Sequence, residues 1–157
     1  MVFLVWLVLH LTTLLAQVWL VPARVHLSYE GKWPLADRLP VLLWYAAPLS
    51  WLIQRPAADA SVFWLGLLLY ISSAALVIWA MRANPCFAPH IERPAHLAVS
   101  GPYAVLNHPG YVGFAGMGLG SCLLLNHWRG CAPLIFYIAI LCYRAGREDQ
   151  LLRGTNV

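Results

Sequence analysis

The sequence predicts an all-α fold, a polytopic integral membrane helical bundle of about five transmembrane helices in a single membrane domain spanning residues 1–157. Three observations carry this. Hydrophobic residues are 61% of the chain, against roughly 45–50% in an average soluble domain. Charged residues are 10%, where about 25% is usual, so polar surface cannot cover a water-soluble globule. The apolar residues are gathered into runs near the ~20 residues that a helix needs to cross a bilayer core of about 30 Å. A soluble enzyme is thereby excluded, and so is a disordered chain, which lacks this much apolar surface. Ten Lys and Arg against six Asp and Glu leave a net charge of +4. These basic residues are spread between apolar runs, whereas a nucleic-acid binder gathers them into a patch.

The first run, residues 2–21, is interrupted only by His10, Thr12, Thr13 and Gln17. It lacks the basic start and small-residue cleavage site of a signal peptide and exceeds the apolar core of one, so it reads as a retained span. The second run, 39–53, is shorter and contains Pro40 and Pro48; it spans only where the bilayer thins, the helix kinks or flanking residues extend it. The third, 62–81, carries no charge. These three spans form the N-terminal part, 1–81. A Gly-rich fourth run covers 111–128, and a fifth covers 131–143 and continues as a helix into 144–152. Pro133 suits the first turn of that last helix.

Loop charges set the orientation. With five spans, loops 22–38 and 82–109 share a side with the C-terminal tail. That side holds Arg24, Lys32, Arg38, Arg82, Arg93, Arg144, Arg147 and Arg153, and the other only Arg55 and Arg129. This positive-inside bias places the N-terminus outside and the tail in the cytoplasm, in the inner membrane if the source is bacterial. The four cysteines, Cys86, Cys122, Cys131 and Cys142, form no CxxC pair, and Cys in apolar runs is most often a small buried hydrophobe.

The scarce polar chemistry is concentrated on the cytoplasmic side. Segment 82–109 holds five of the eleven prolines and, with His90, His96 and His108, three of the six histidines. Prolines fix φ, so the segment reads as a rigid folded loop. A plain interhelical connection is the alternative, although loops this long usually have a function or are disordered. In the fourth span, Gly116 and Gly120 form a GxxxG whose default meaning is close helix packing. The last helix carries Arg144, Arg147, Glu148 and Asp149. Arginines there read as snorkelling anchors, whereas two acids oppose the negative helix C-terminus. Arg144 and Glu148 are four apart and suited to pairing, and a solvated charge cluster is the competing reading. Cys86, His90, His96 and His108 fit no zinc spacing, so no metal is expected. His10 as a haem ligand lacks a second well-placed ligand.

The segments His96-Leu97-Ala98-Val99-Ser100-Gly101-Pro102-Tyr103, Asn107-His108-Pro109-x-Tyr111-x-Gly113 and Glu148-Asp149-x-x-Leu152, in that order, resemble the isoprenylcysteine carboxyl methyltransferase family, which overlaps in pattern with the membrane phospholipid methyltransferases. The resemblance covers about residues 79–152. It implies a membrane enzyme that moves a methyl group from S-adenosylmethionine, leaving S-adenosylhomocysteine, to a small lipophilic or lipid-anchored acceptor that enters from the bilayer. It makes 82–157 a cytoplasmic cofactor-binding loop, the last two spans and a helical extension. By analogy with the family, His96, Leu97, Val99, Gly101, Pro102, Tyr103, His108, Pro109, Tyr111, Glu148 and Asp149 form the cofactor site, and Asn107, His108 and Glu148 are the catalytic candidates. Tyr103 and Tyr111 offer aromatic faces to a sulfonium. His108 is available to take a proton from an amine or thiol acceptor, and a carboxylate needs no base.

Two departures from the family pattern stand out. Asn107 replaces the usual Arg and cannot offer a carboxylate a charged bidentate fork. The sequence runs only to Val157, without the usual aromatic, glycine-containing tail, which points to a more open pocket or weakened activity. The competing function is a non-catalytic membrane scaffold that keeps the fold but binds a lipid or protein partner. A haem- or quinone-handling protein and a transporter follow as weaker readings; the spans carry no mid-membrane charge to mark a transport pathway.

Overall fold

The computed structural model describes residues 2–20, 39, 42, 60–87, 97–125 and 131–153, and every regular element among them is helical. Helix α1 is Val2–Leu20 and α2 is Ala60–Ala83. A 3-10 turn, Gly101–Ala104, precedes α3, Pro109–Leu125, and α4 is Cys131–Arg153. The two longest apolar segments, Val2–Leu20 and Ser61–Ala83, have the length and composition to cross a membrane. At 1.5 Å rise per residue they reach about 28 and 34 Å, matching a hydrocarbon core of about 30 Å. Helix α3 is apolar but has 17 residues. The polar C-terminal end of α4 keeps that helix from being apolar throughout. Among the described residues two helices are thus long and apolar enough to cross a membrane, and the five expected are not confirmed. The expected span over 39–53 lies outside the described residues apart from Leu39 and Leu42, both helical.

Helices α2 and α3 form the most extensive contact, and glycine is the reason. A Cβ added at Gly120 would lie 2.8 Å from the Tyr70 backbone nitrogen and 3.0 Å from the Gly66 carbonyl oxygen. One added at Gly66 would meet the Leu124 nitrogen at 2.6 Å, and one at Gly113 the Ser73 carbonyl oxygen at 3.0 Å. Backbone thus lies on backbone, the close approach that small residues permit between membrane helices. Gly116 belongs to the same seam, facing the Ser73 side chain.

The remaining helices close around this pair. Trp6, Tyr70, Val77, Met117, Leu124 and Leu141, drawn from all four helices, belong to one buried cluster. Inside it the Trp6 indole donates to Ser121 Oγ at 2.9 Å, and Ser121 donates to the Met117 carbonyl at 2.8 Å. Pairing of this kind is required of polar groups away from water. His10 lies in the same buried region, stacked on Trp6 and 3.4 Å from the Tyr70 hydroxyl.

Candidate functional site

The C-terminal end of α2, the start of α3 and the polar end of α4 meet at one end of the bundle. The α2 terminus sets the frame. Asn84 caps it with an Asx turn, its Oδ1 accepting from the Cys86 N–H at 2.9 Å, and its Nδ2 donates to the Tyr103 hydroxyl at 3.4 Å. Gly101 has φ +61, the left-handed region that favours glycine. A Cβ there would lie 3.2 Å from both Trp79 Nε1 and Ala83 Cβ, so the 3-10 turn rests against the last turns of α2. The turn is closed by Leu106 N–H donating to the Pro102 carbonyl at 3.0 Å. Burial raises the Tyr103 hydroxyl pKa above its usual value, with the Asn84 hydrogen bond opposing.

His108 caps α3, its carbonyl accepting from the Val112 N–H at 3.1 Å. Pro109 fits the first helical turn because its missing N–H has no partner to lose. Tyr111 follows one turn in, its ring 5.6 Å from the His108 ring at 23°. On α4, Arg144, Glu148 and Asp149 face this start. His108 Nδ1 lies 3.3 Å from Glu148 Oε2, and Nε2 lies 3.1 Å from Asp149 Oδ1. The Tyr111 hydroxyl donates to Glu148 Oε1 and accepts from Arg144 Nε at 3.3 Å. The Arg144 guanidinium also sits 5.7 Å from the Tyr111 ring centre.

This geometry favours the charged imidazolium. Each ring nitrogen faces a carboxyl oxygen, an arrangement that both nitrogens satisfy as donors in the imidazolium form. The hydrogen bond to Glu148 raises the His108 pKa above its usual value; burial opposes this and Asp149 reinforces it. An imidazolium has no lone pair for a proton. In that form the ring is a charged link between α3 and α4, and a role as base for an amine or thiol acceptor requires that it first release a proton. Arg144 requires a correction. It is 3% exposed, so it is a buried member of the cluster and not an anchor snorkelling to the interface. It meets Glu148 through the shared Tyr111 hydroxyl.

The other expected residues are spread more widely. Pro102 and Pro109 are buried and structural, and Gly101 shapes the turn. Leu97 and Val99 are exposed, as is Asn107 beside His108. His96 lies outside the described residues. Asn84 and Arg144 were not among the expected site residues. The only signal for Asn84 was its Asn-Pro dipeptide at a helix end, a turn marker. Glu148 and Asp149 remain partly exposed, so carboxylate oxygen faces the outside of the cluster, next to the two tyrosines. Such an arrangement suits a small cationic ligand. Among the described residues no group of three side chains is placed to hold a metal ion.

A family model described as phospholipid methyltransferase matches residues 61–154, well over half of the chain and every element of this site. No curated protein and no solved structure matches the sequence.

Proposed function

Because the chain belongs to the phospholipid methyltransferase family, we propose that it is an integral membrane methyltransferase that uses S-adenosylmethionine and acts on a small lipophilic or lipid-anchored acceptor entering from the bilayer. The observation that carries this is the pair of partly exposed carboxylates, Glu148 and Asp149, held beside Tyr111 by the His108 imidazolium. The donor set fits the cofactor, whose α-amino group and sulfonium are cations. S-adenosylmethionine supplies, when bound, a methyl group on a good leaving group. The protein's own contribution is then positioning and exclusion of water. Glu148 and Asp149 hold the cationic end, Tyr103 and Tyr111 present ring faces, and Arg144 and His108 keep the acids oriented. No side chain need act as base for a carboxylate. An amine that arrives neutral attacks directly and loses its proton afterwards to the Asp149 carboxylate or to water. Asn107, where the pattern has Arg, disfavours an anionic acceptor. The 8-to-2 distribution of basic residues favours a cytoplasmic site.

Calorimetry with S-adenosylhomocysteine tests the site. The wild-type protein is expected to bind, and Glu148→Gln to bind about tenfold more weakly, the loss of one charge-assisted hydrogen bond. Absence of binding by the wild type, or equal binding by the variant, overturns the assignment. Incubation with methyl-labelled cofactor and a lipid extract then identifies the acceptor. The second reading, a non-catalytic scaffold binding a lipid or protein partner, is favoured by Asn107. It is supported by cofactor binding with no labelled product.

A further inference from the structure

The outer face of α2 carries one continuous exposed stripe, Trp64, Leu68, Ile71, Ala75 and Trp79, at the three- and four-residue spacing of a single helix face, and Arg82 ends it. In a membrane-spanning helix such a stripe faces lipid. A Trp followed by an Arg at its end marks the water interface, where indole and guanidinium groups settle. The 3-10 turn rests at this level, because Gly101 lies against Trp79 Nε1 and Ala83. From the turn and its flanks Leu97, Val99 and Val105 project with 61%, 76% and 85% exposure. The buried Pro102, the Asn84–Tyr103 hydrogen bond and the left-handed Gly101 fix the backbone between them.

We propose that segment 97–105 is a lipid-docking surface, with Leu97, Val99 and Val105 inserted at the boundary of headgroups and acyl chains as a continuation of the lipid-facing stripe of α2. The occupant is the bilayer itself. The apolar surface of the turn joins directly to a helix face that lipid covers, and Arg82 beside it matches anionic headgroups. The segment lies between Trp79 and His108, so docking it sets the mouth of the site on the membrane surface. A lipid-anchored acceptor then reaches Glu148 without crossing water. The docking itself rests on the membrane location of α2, and only the delivery of an acceptor to Glu148 rests on the proposed function.

The test uses the wild-type protein in vesicles of phosphatidylcholine and phosphatidylglycerol containing a lipid with a diazirine near its headgroup. After photolysis, mass spectrometry is expected to find adducts on the peptide bearing residues 97–105, and hydroxyl-radical footprinting to show Val105 oxidised severalfold less in vesicles than in the urea-unfolded protein. A second measurement places an environment-sensitive dye at Val105→Cys, with the four native cysteines replaced, and at Asn107→Cys as the aqueous comparison. The dye at 105 is expected to lose about half its fluorescence to acyl-chain spin labels, the response of a group buried at the interface. No adducts on 97–105, together with full oxidation of Val105 in vesicles, overturns the proposal. Adducts on α2 alone overturn it as well while leaving α2 in the membrane. Neither outcome bears on cofactor binding, which calorimetry reads separately.

Discussion

Replacing Gly120 by Ala is the sharpest test of the seam between α2 and α3. The new methyl group would lie 2.8 Å from the Tyr70 nitrogen and 3.0 Å from both the Gly66 carbonyl oxygen and the Tyr70 Cα. Carbon atoms in contact prefer about 3.5–4.0 Å. The obstacles are all backbone, so no side chain can swing aside, and the helices must part by about 0.5–1 Å, forfeiting a quarter to a half of the dispersion well along the seam. Overpacking of this kind costs about 1–3 kcal/mol. Alanine also gains about 1 kcal/mol of helix propensity over glycine, which hides part of that cost. Gly146→Ala removes the ambiguity, since a Cβ there has nothing within 4 Å and reports the propensity gain alone. The difference between the two variants is thus expected to be about 1–3 kcal/mol, or about 5- to 150-fold in the unfolding equilibrium. Reversible unfolding in mixed micelles of rising dodecyl sulfate fraction, followed by tryptophan fluorescence, measures it. Equal stability of Gly120→Ala and Gly146→Ala would refute the backbone-on-backbone seam.

Three further outcomes are expected. Tyr111→Phe removes the hydroxyl shared by Arg144 and Glu148; it should cost about 1–3 kcal/mol of stability by thermal unfolding and weaken S-adenosylhomocysteine binding about tenfold by calorimetry. The His108 pKa is raised in the folded protein, so its contribution is fully present below the unfolded value of about 6.5 and is lost as pH rises through the folded value. Melting temperature should therefore fall with rising pH above neutrality in the wild type more than in His108→Gln, and parallel profiles would refute the imidazolium link. Trp6→Phe deletes the indole donor to Ser121 and should cost about 1–2 kcal/mol; a double-mutant cycle with Ser121→Ala should show coupling of about 0.5–1 kcal/mol.

How far the sequence revealed these features depended on whether they are local. Uncharged runs of helical length announced α1 and α2, because a bilayer demands little beyond length and apolarity. The Gly116–Gly120 spacing announced a close contact, although the partner residues Gly66 and Ser73 became visible only in three dimensions. The ordered fragments around Tyr103, His108 and Glu148 announced one site. What spacing could not supply was valence. That each His108 nitrogen faces a different carboxylate depends on how α3 and α4 cross, and the raised His108 pKa follows from that crossing. Arg144 misled for the same reason. At the end of an apolar run an arginine is ordinarily a surface anchor, and its burial beside Tyr111 emerges only from the packing of α4 on α3.

The burial of Arg144 bears on how the protein is made. A guanidinium costs several kcal/mol to remove from water without partners, so α4 cannot seat fully until its acceptor is in place. Tyr111 lies 33 residues earlier in the chain and emerges from the ribosome first, on a helix already sealed to α2 by glycine. The last helix is thus the one whose packing waits on the rest. Its charged half locks when Tyr111 receives Arg144. The contact that buries Arg144 therefore forms together with the one that brings Glu148 and Asp149 to His108, so a chain with α4 undocked lacks the whole cluster.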